Sequence, residues 1–221
     1  MKTKITHLSF DLDGTLEFGQ FDKIIWNVEI PKLYSKEHNV PLADAERIVF
    51  AEYYKALYIE NVTNWTDISM WFSRLGLSDW QSLLHDMRKY IHLYDDALPA
   101  LQALGKKYQL IMISNSEEKF LTIKLDASGI KDKFNKIISS NTFLLTKKDK
   151  RMYEQALKAL HIAPAQVLHI GDERHADFDV PSSIGMHALL IDRKGGQSGP
   201  YVIHSLSEIV EKIKQIENDA T

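Results

Sequence analysis

The stretch Ile-Thr-His-Leu-Ser-Phe-Asp-Leu-Asp-Gly-Thr-Leu, residues 5–16, holds the most informative pattern in this chain. Its first half is short, mostly apolar and rich in residues that favour strands, which predicts a buried strand. Two carboxylates, Asp11 and Asp13, follow directly, and Gly14 comes next. A buried strand is not stabilised by charges at its exit, because removing a charge from water costs free energy. The pattern is typical of an Asp/Gly turn, or of a catalytic carboxylate pair at the end of a strand.

The composition indicates a globular protein of ordinary hydrophobicity. The 221 residues are 44% hydrophobic and 26% charged, which is enough for one core with or without a small second domain. The net charge of −3 argues against a general nucleic-acid surface. The absence of cysteine excludes disulfides and thiolate chemistry. With no signal-peptide pattern and no long apolar run, we expect a cytoplasmic protein without a membrane partner.

Residues 17–95 have a helical pattern rich in aromatic side chains. They contain all four tryptophans, and Phe50, Tyr53, Tyr54, Leu57 and Tyr58 recur at the spacing of one helix face. We therefore predict a small helical bundle inserted after the first strand, with a helix near its start that is interrupted near Pro31. Aromatic rings in such stripes usually pack in a core, although some line ligand pockets.

From residue 96 onward, strands alternate with helices. This alternation predicts βαβ units, and hence an α/β fold with a Rossmann-like parallel sheet in a three-layer αβα arrangement. We assign residues 1–16 and 96–221 to this core and residues 17–95 to the helical insert. The predicted strands after the first are Gln109–Ile113, Lys136–Ser139, Gln166–Ile170 and His187–Ile191, and the predicted helices are Ala97–Lys107, Glu117–Ser128, Lys150–His161 and Leu206–Ile216.

Polar side chains follow three of the predicted strands. Asp11 and Asp13 follow the first, Ser114 and Asn115 the second, and Asp172 the fourth. Because the carboxyl ends of parallel strands share one edge of a sheet, we expect these groups to converge.

The predicted cluster carries excess negative charge. Two carboxylates about 4 Å apart repel by about 4 kcal/mol at an effective dielectric constant of about 20. Lys147 supplies one positive charge, and a hard divalent cation such as Mg²⁺, which prefers oxygen ligands, supplies the rest. A carboxylate nucleophile, an acid/base, a metal, a lysine and a hydroxyl together favour phosphoryl transfer.

Four segments resemble, in order, the four motifs of the haloacid dehalogenase (HAD) superfamily of hydrolases. They are Asp-Leu-Asp-Gly-Thr (11–15), Ile-Met-Ile-Ser-Asn (111–115), Lys147 in Lys-Lys-Asp-Lys-Arg-Met-Tyr (147–153), and Gly-Asp-Glu-Arg-His-Ala-Asp (171–177). The longest interval between motifs lies between the first two. In this family that position implies a helical cap of the first type.

The resemblance implies a role for each matching residue. Asp11 would be the nucleophile that forms an aspartyl-phosphate, and Asp13 would protonate the leaving group and then activate water. The residues implied for phosphate or substrate binding are Thr15, Ser114, Asn115 and Lys147, of which Ser114 and Lys147 also count as catalytic. The residues implied for Mg²⁺ are Asp11, Asp13 through its backbone carbonyl, Asp172, and Asp177 as a ligand or in a supporting position.

The third motif departs from the family pattern. Lys148 stands where proline is usual, and Leu144 stands where glycine often precedes the lysine. Lys148 is therefore the alternative to Lys147 as the lysine of this motif.

We expect a Mg²⁺-dependent phosphohydrolase acting on a small phosphorylated metabolite. A phosphomutase of the same superfamily would use the same four motifs. A non-catalytic protein that binds phosphometabolites is the alternative from another class, but such proteins are expected to lose a nucleophile or a metal ligand. A dehalogenase is disfavoured because those enzymes do not carry aspartate at the position of Asp13. The sequence does not identify the substrate or the oligomeric state.

Overall fold

The computed structural model describes residues 4–63, 65–143, 145 and 148–219. The contacts between residues divide the chain into two compact units. The first unit contains Met1–Phe18, His92–Asn115 and Ser128–Thr221, and the second contains Gly19–Ile91 and Ser116–Ala127. The predicted insert boundaries at residues 17 and 95 stay a prediction.

The first unit is built on a parallel sheet of six strands in the order β3-β2-β1-β4-β5-β6. The strands are β1 His7–Phe10, β2 Gln109–Ser114, β3 Lys136–Ser139, β4 Val167–Gly171, β5 His187–Ile191 and β6 Val202–Ile203. All five pairings between neighbouring strands are parallel. The chain runs outward from β1 to β3 and then returns to the other side of β1, which is the doubly wound pattern. The predicted α/β fold with a Rossmann-like sheet is confirmed.

The central strand β1 is buried because both its edges are paired. Ser9 lies in register with Ile111 of β2 on one side and with His169 of β4 on the other. The register continues beyond the strand, since the Asp11 backbone N–H donates to the Ile170 carbonyl at 2.9 Å. The end of β1 is thereby fixed beside the ends of β2 and β4.

Helices lie between and after the strands of the first unit in the sequence. They are α6 Ala97–Leu104, α8 Lys150–Leu160, α9 Val180–Ser183 and α10 Ile209–Asp219. α8 packs on the sheet through Met152 and Tyr153, which join a buried cluster with Ile111, Ile113 and Ile138. Its start is capped by Asp149, whose carboxylate accepts from the Arg151 and Met152 backbone N–H groups.

The second unit is helical, as its sequence pattern predicts. Its helices are α1 Gln20–Ile24, α2 Ile30–His38, α3 Leu42–Tyr54, α4 Ile68–Leu75, α5 Trp80–Met87 and most of α7 Glu118–Ser128. The predicted interruption near Pro31 is a wide π-type turn over Ile25–Glu29 rather than a break. Pro31 itself lies in the first turn of α2, where a missing N–H costs little.

The core of the second unit is apolar and rich in aromatic rings. Phe21, Phe72 and Phe120 are buried in it together with aliphatic side chains of α2 to α5. In the described ranges, no helix has both the length and the apolar character needed to cross a membrane.

Candidate active site

The loop that leaves β1 turns tightly around one backbone carbonyl. The Leu12 carbonyl accepts from the Leu16 and Glu17 backbone N–H groups at 2.8 and 3.0 Å. Gly14 has φ +75°, and a Cβ atom there would lie 2.1 Å from Oδ2 of Asp172. Glycine is thus required at this position both for the turn and for the close approach of the Asp172 carboxylate.

Three carboxylates from two strand ends meet at the point where the strand order reverses. Oxygen atoms of Asp11, Asp172 and Asp177 all lie within 4.8 Å of one another. Asp11 and Asp177 are buried, whereas Asp172 is exposed. Gly171 allows this packing, because a Cβ atom there would lie 2.2 Å from Cγ of Asp177. A compact set of hard oxygen donors with one open side fits a divalent cation such as Mg²⁺.

A buried lysine lies against these carboxylates. Nζ of Lys148 is 2.7 Å from Oδ1 of Asp11 and 2.5 Å from Oδ1 of Asp177, and the residue is only 5% exposed. The Lys148 backbone N–H donates to the side-chain oxygen of Asn115, which ties this loop to the end of β2. Lys147, the predicted lysine of the third motif, lies outside the described residues.

The pKa shifts of the clustered carboxyl groups follow from their burial and from their charged neighbours. Burial raises the pKa of Asp11 well above its usual range; Lys148 opposes this rise, and the carboxylates of Asp177 and Asp13 add to it. Partial burial and the charge of Asp177 raise the pKa of Asp172 to about 6. Burial would also raise the pKa of Asp177, but Lys148 and a histidine lower it overall. One lysine therefore does not compensate this set of carboxylates.

That histidine, His169 on β4, belongs to a buried network that the sequence patterns did not predict as part of the site. Its Nε2 lies 3.2 Å from Oδ1 of Asp177 and 3.0 Å from the hydroxyl of Tyr153, and its Nδ1 lies 2.9 Å from Oγ of Ser9. The Tyr153 hydroxyl donates to the Ala176 carbonyl at 2.9 Å. Burial lowers the pKa of His169, so a neutral ring that donates to Asp177 fits this geometry. The network holds the Asp177 carboxylate against Lys148.

A second contact set outside the predicted residues reaches the β1 loop from the segment after β5. Nη2 of Arg193 donates to the Thr15 carbonyl at 2.6 Å, and Nη1 donates to Oδ2 of Asp96 at 2.8 Å. The guanidinium lies 4.0 Å from the centroid of the Tyr94 ring. The Tyr94 backbone N–H in turn donates to the Leu16 carbonyl at 2.9 Å. Neither a motif nor a periodic pattern marks Arg193 in the sequence.

The remaining predicted residues are placed as follows. Ser114 is the last residue of β2 and is buried. The Thr15 side chain is fully buried, and its hydroxyl has no hydrogen-bond partner within the described part of the chain. Asp13 is half-buried and close enough to influence the pKa of Asp11. The catalytic, phosphate-binding and metal-binding roles of all these residues stay predictions.

The arrangement combines a carboxylate nucleophile candidate, a second carboxylate nearby, a buried ammonium group and a set of oxygen donors for a cation. Such a combination can stabilise the charge that develops when a phosphoryl group is transferred.

Comparisons with known proteins agree with this geometry. A family profile described as haloacid dehalogenase-like hydrolase matches residues 5–179. A curated relative, the GMP/IMP nucleotidase YrfG of Escherichia coli (strain K12), is 27% identical over 183 residues, which cover 81% of this chain and 79% of the relative.

Solved structures share the fold. A HAD phosphatase from Thermococcus onnurineus superimposes with a TM-score of 0.79 at 21% identity, covering 94% of this chain and 97% of that one. A 2-haloacid dehalogenase from Pseudomonas syringae pv. Tomato DC3000 gives a TM-score of 0.71 at 20% identity, covering 96% and 99%. Because the matched profile covers most of the chain, including strands β1 to β4 and all the motif segments, the chain belongs to the haloacid dehalogenase-like hydrolase family.

Proposed function

We propose that the protein hydrolyses a phosphate monoester of a small metabolite, with Asp11 as the nucleophile. The observation that supports this most is the group of three carboxylates, Asp11, Asp172 and Asp177, with the buried ammonium of Lys148 against two of them. The carboxylates of such a site attract a cation. The cation and the lysine together then attract the negatively charged phosphoryl group.

The proposed reaction has two steps. An oxygen of the Asp11 carboxylate attacks phosphorus, the ester P–O bond breaks, and Asp13 donates a proton to the leaving oxygen. Asp13 then accepts a proton from water as that water attacks the phosphorus of the aspartyl-phosphate, which releases inorganic phosphate and restores Asp11. Each step moves one proton through Asp13, which ends in its starting state.

Lys148 is proposed to hold the phosphoryl oxygens in both steps. Its Nζ contacts the Asp11 carboxylate directly, so its charge lies beside the atom that attacks. Asn115 fixes the Lys148 backbone, and Ser114 offers a hydroxyl at the end of β2. We favour Lys148 over Lys147 for this role because of the contacts of Lys148 with both Asp11 and Asp177.

The carboxylates of Asp11 and Asp172, with Asp177 beside them, are the residues proposed to hold Mg²⁺. The ion would supply positive charge that keeps Asp11 in the carboxylate form and offsets the charge of the phosphate. The predicted contribution of the Asp13 backbone carbonyl belongs to the same proposal.

The name of the relative YrfG makes purine nucleoside monophosphates the first substrates to test. A phosphomutase is the second candidate, because it would use the same groups and differ only in protecting the aspartyl-phosphate from water. The cytoplasmic location remains a prediction from the sequence.

The test is phosphate release from GMP, IMP, p-nitrophenyl phosphate and a set of sugar phosphates, each with Mg²⁺ and with EDTA. We expect release that requires Mg²⁺ and is fastest on one class of ester. An isomerised phosphosugar in place of free phosphate would favour the mutase. If every ester stays intact while the protein is folded and binds Mg²⁺, the proposal is wrong.

A further inference from the structure

The second unit contains a small cavity surrounded by aromatic rings, which we call the aromatic cavity. Its volume is about 270 Å³. Drug-sized ligands occupy pockets of about 300–1,000 Å³, so this cavity is large enough for one or two fused rings and too small for a whole nucleotide. It is lined by Asp22, Lys23, Trp26, Asn27, Tyr53, Leu57, Trp65 and Trp71.

Two of the rings have their polar atoms already bonded to backbone. The Tyr53 hydroxyl donates to the Trp26 carbonyl at 3.3 Å, and Nε1 of Trp71 donates to the Trp65 carbonyl at 2.6 Å. These two rings therefore contribute carbon surface and π-electron faces to the cavity, rather than hydrogen-bond donors.

One ring of the lining is exposed and another is buried, so the cavity is open to solvent on the side of the exposed ring. Trp71 is 2% exposed, whereas Trp65 is 42% exposed. An indole face that is exposed to solvent gains no stabilisation from burial. Core packing therefore explains the position of Trp65 less well than that of the other rings of the lining. It is also the ring most accessible to a ligand.

The charged side chains of the lining, one carboxylate and one exposed lysine, do not form a phosphate site. The Asp22 carboxylate pairs with Nζ of Lys124 at 2.6 Å, and the remaining charged side chain of the lining is the exposed Lys23. No arginine lines the cavity among the described residues, so the forked donors that bind phosphate best are missing there. A neutral planar group fits this lining better than a phosphate.

We propose that the aromatic cavity binds the base of a purine nucleotide by stacking on the exposed indole of Trp65. Every base has a π-face that stacks on aromatic side chains, and the amide of Asn27, on the same lining, offers a donor and an acceptor for the edge of a base. The choice of a nucleotide base over another flat ring rests on the proposed function.

The test is calorimetric titration with guanosine, which carries the base but no phosphate. We expect guanosine to bind to the wild-type protein, and ribose not to bind. The variant Trp65→Ala should weaken guanosine binding at least tenfold, equivalent to about 1.4 kcal/mol. This variant keeps the backbone carbonyl that accepts from Trp71, and Trp65→Phe should restore most of the affinity because it keeps a ring.

The control is Trp80→Ala, which removes a half-buried tryptophan of the same unit that does not line this cavity. It should bind guanosine like the wild type. Guanosine that does not bind, or that binds equally to Trp65→Ala and the wild type, overturns the proposal. Loss of binding in all three tryptophan variants, with Trp80→Ala folded by circular dichroism, overturns it too.

This test and that of the proposed function fail separately. Guanosine has no ester to hydrolyse, so Asp11→Asn should bind it with unchanged affinity. Guanosine binding without hydrolysis of any ester would support the aromatic cavity as a base-binding site and contradict the proposed reaction. Mg²⁺-dependent hydrolysis of p-nitrophenyl phosphate without guanosine binding would support the proposed reaction and contradict base binding in the aromatic cavity.

Discussion

Among the described residues, two lysines are buried, one in each unit, and their surroundings indicate a structural role for one and a functional role for the other. Lys148 in the first unit is 5% exposed, and its Nζ contacts carboxylates of Asp11 and Asp177. Lys124 in the second unit is fully buried, and its Nζ contacts Asp22 at 2.6 Å and the hydroxyl of Ser116 at 3.2 Å.

The difference lies in the charge around each ammonium group. Around Lys148 the carboxylates outnumber the lysine, and the pKa of Asp11 rises because burial and neighbouring carboxylates oppose its ionisation. The contacts of Lys124 with one carboxylate and one hydroxyl resemble an ordinary buried ion pair. Buried carboxylates that outnumber the neighbouring protein cations favour a binding site for a cation or substrate, whereas a paired lysine and carboxylate favour a structural role.

The largest effect is expected for Asp11→Asn. The amide keeps the size of the side chain but cannot attack phosphorus, so kcat should fall at least ~1,000-fold. Because a buried and partly uncompensated charge is removed, the melting temperature should not fall. Phosphate release and thermal unfolding measure the two quantities, and turnover within tenfold of the wild type would contradict the assigned nucleophile.

The comparison of the two lysines is tested directly by Lys148→Met and Lys124→Met. Each variant leaves a carboxylate without its buried partner, and each should lower the free energy of unfolding by about 3–5 kcal/mol. Only Lys148→Met should lose phosphatase activity, by at least ~100-fold, under conditions where both variants remain folded.

Lys147→Met is the control at the position before Lys148 in the sequence. It should keep kcat within about threefold of the wild type if Lys148 is the lysine of the third motif. Loss of activity in Lys147→Met with activity retained in Lys148→Met would reverse our assignment.

A smaller effect is expected for Arg193→Lys. A lysine cannot donate to Thr15 and Asp96 in the same forked geometry, so the β1 loop loses one of its anchors. Because small displacements of reacting groups slow a reaction, kcat should fall about tenfold while KM changes less. Arg74→Lys is a matched control in the second unit, since Arg74 also contacts a carboxylate, Glu60, and an aromatic ring, Trp71. Equal kcat values for the two variants would exclude a positioning role for Arg193.

The smallest effect is expected for Asp96→Asn, and it should depend on pH. Burial acts to raise the pKa of Asp96, but hydrogen bonds from Arg193, Leu206 and Ser205 lower it overall. A carboxyl with a lowered pKa stabilises the folded state above its ordinary pKa of about 3.9, and this stabilisation is lost as the pH falls through the lowered value. At pH 7 the variant should be less stable than the wild type by about 1 kcal/mol. Urea unfolding at pH 7 and pH 3 should show this difference shrinking; a constant difference would count against the ionic contribution.

The sheet could be predicted from the sequence because its signals are local. The strands β2, β3 and β5 were predicted within one residue of their observed bounds, since each is a short apolar run followed by turn residues. Asp11 and Asp172 converge because parallel strands share an edge, which the alternation of strands and helices already implies. The strand β6 has only two residues, Val202 and Ile203, and carries no such signal.

The finer parts of the site could not be predicted in the same way. Spacing alone does not distinguish Lys147 from Lys148, because a shift of one residue in a loop changes no periodic pattern. His169 and Tyr153 come together only when α8 packs on the sheet. Arg193 reaches Thr15 across a long interval of sequence. Contacts of this kind arise from tertiary packing and not from local pattern.

The most direct test of the central claim is to trap the phosphorylated enzyme. The wild type and Asp11→Asn are mixed with Mg²⁺ and the radiolabelled ester that is hydrolysed fastest, then quenched in acid within one turnover. We predict label in the wild type that hydroxylamine removes and that mass spectrometry places on the peptide containing Asp11, with none in Asp11→Asn. Label on another residue, or rapid turnover with no labelled enzyme at any time, would contradict the account.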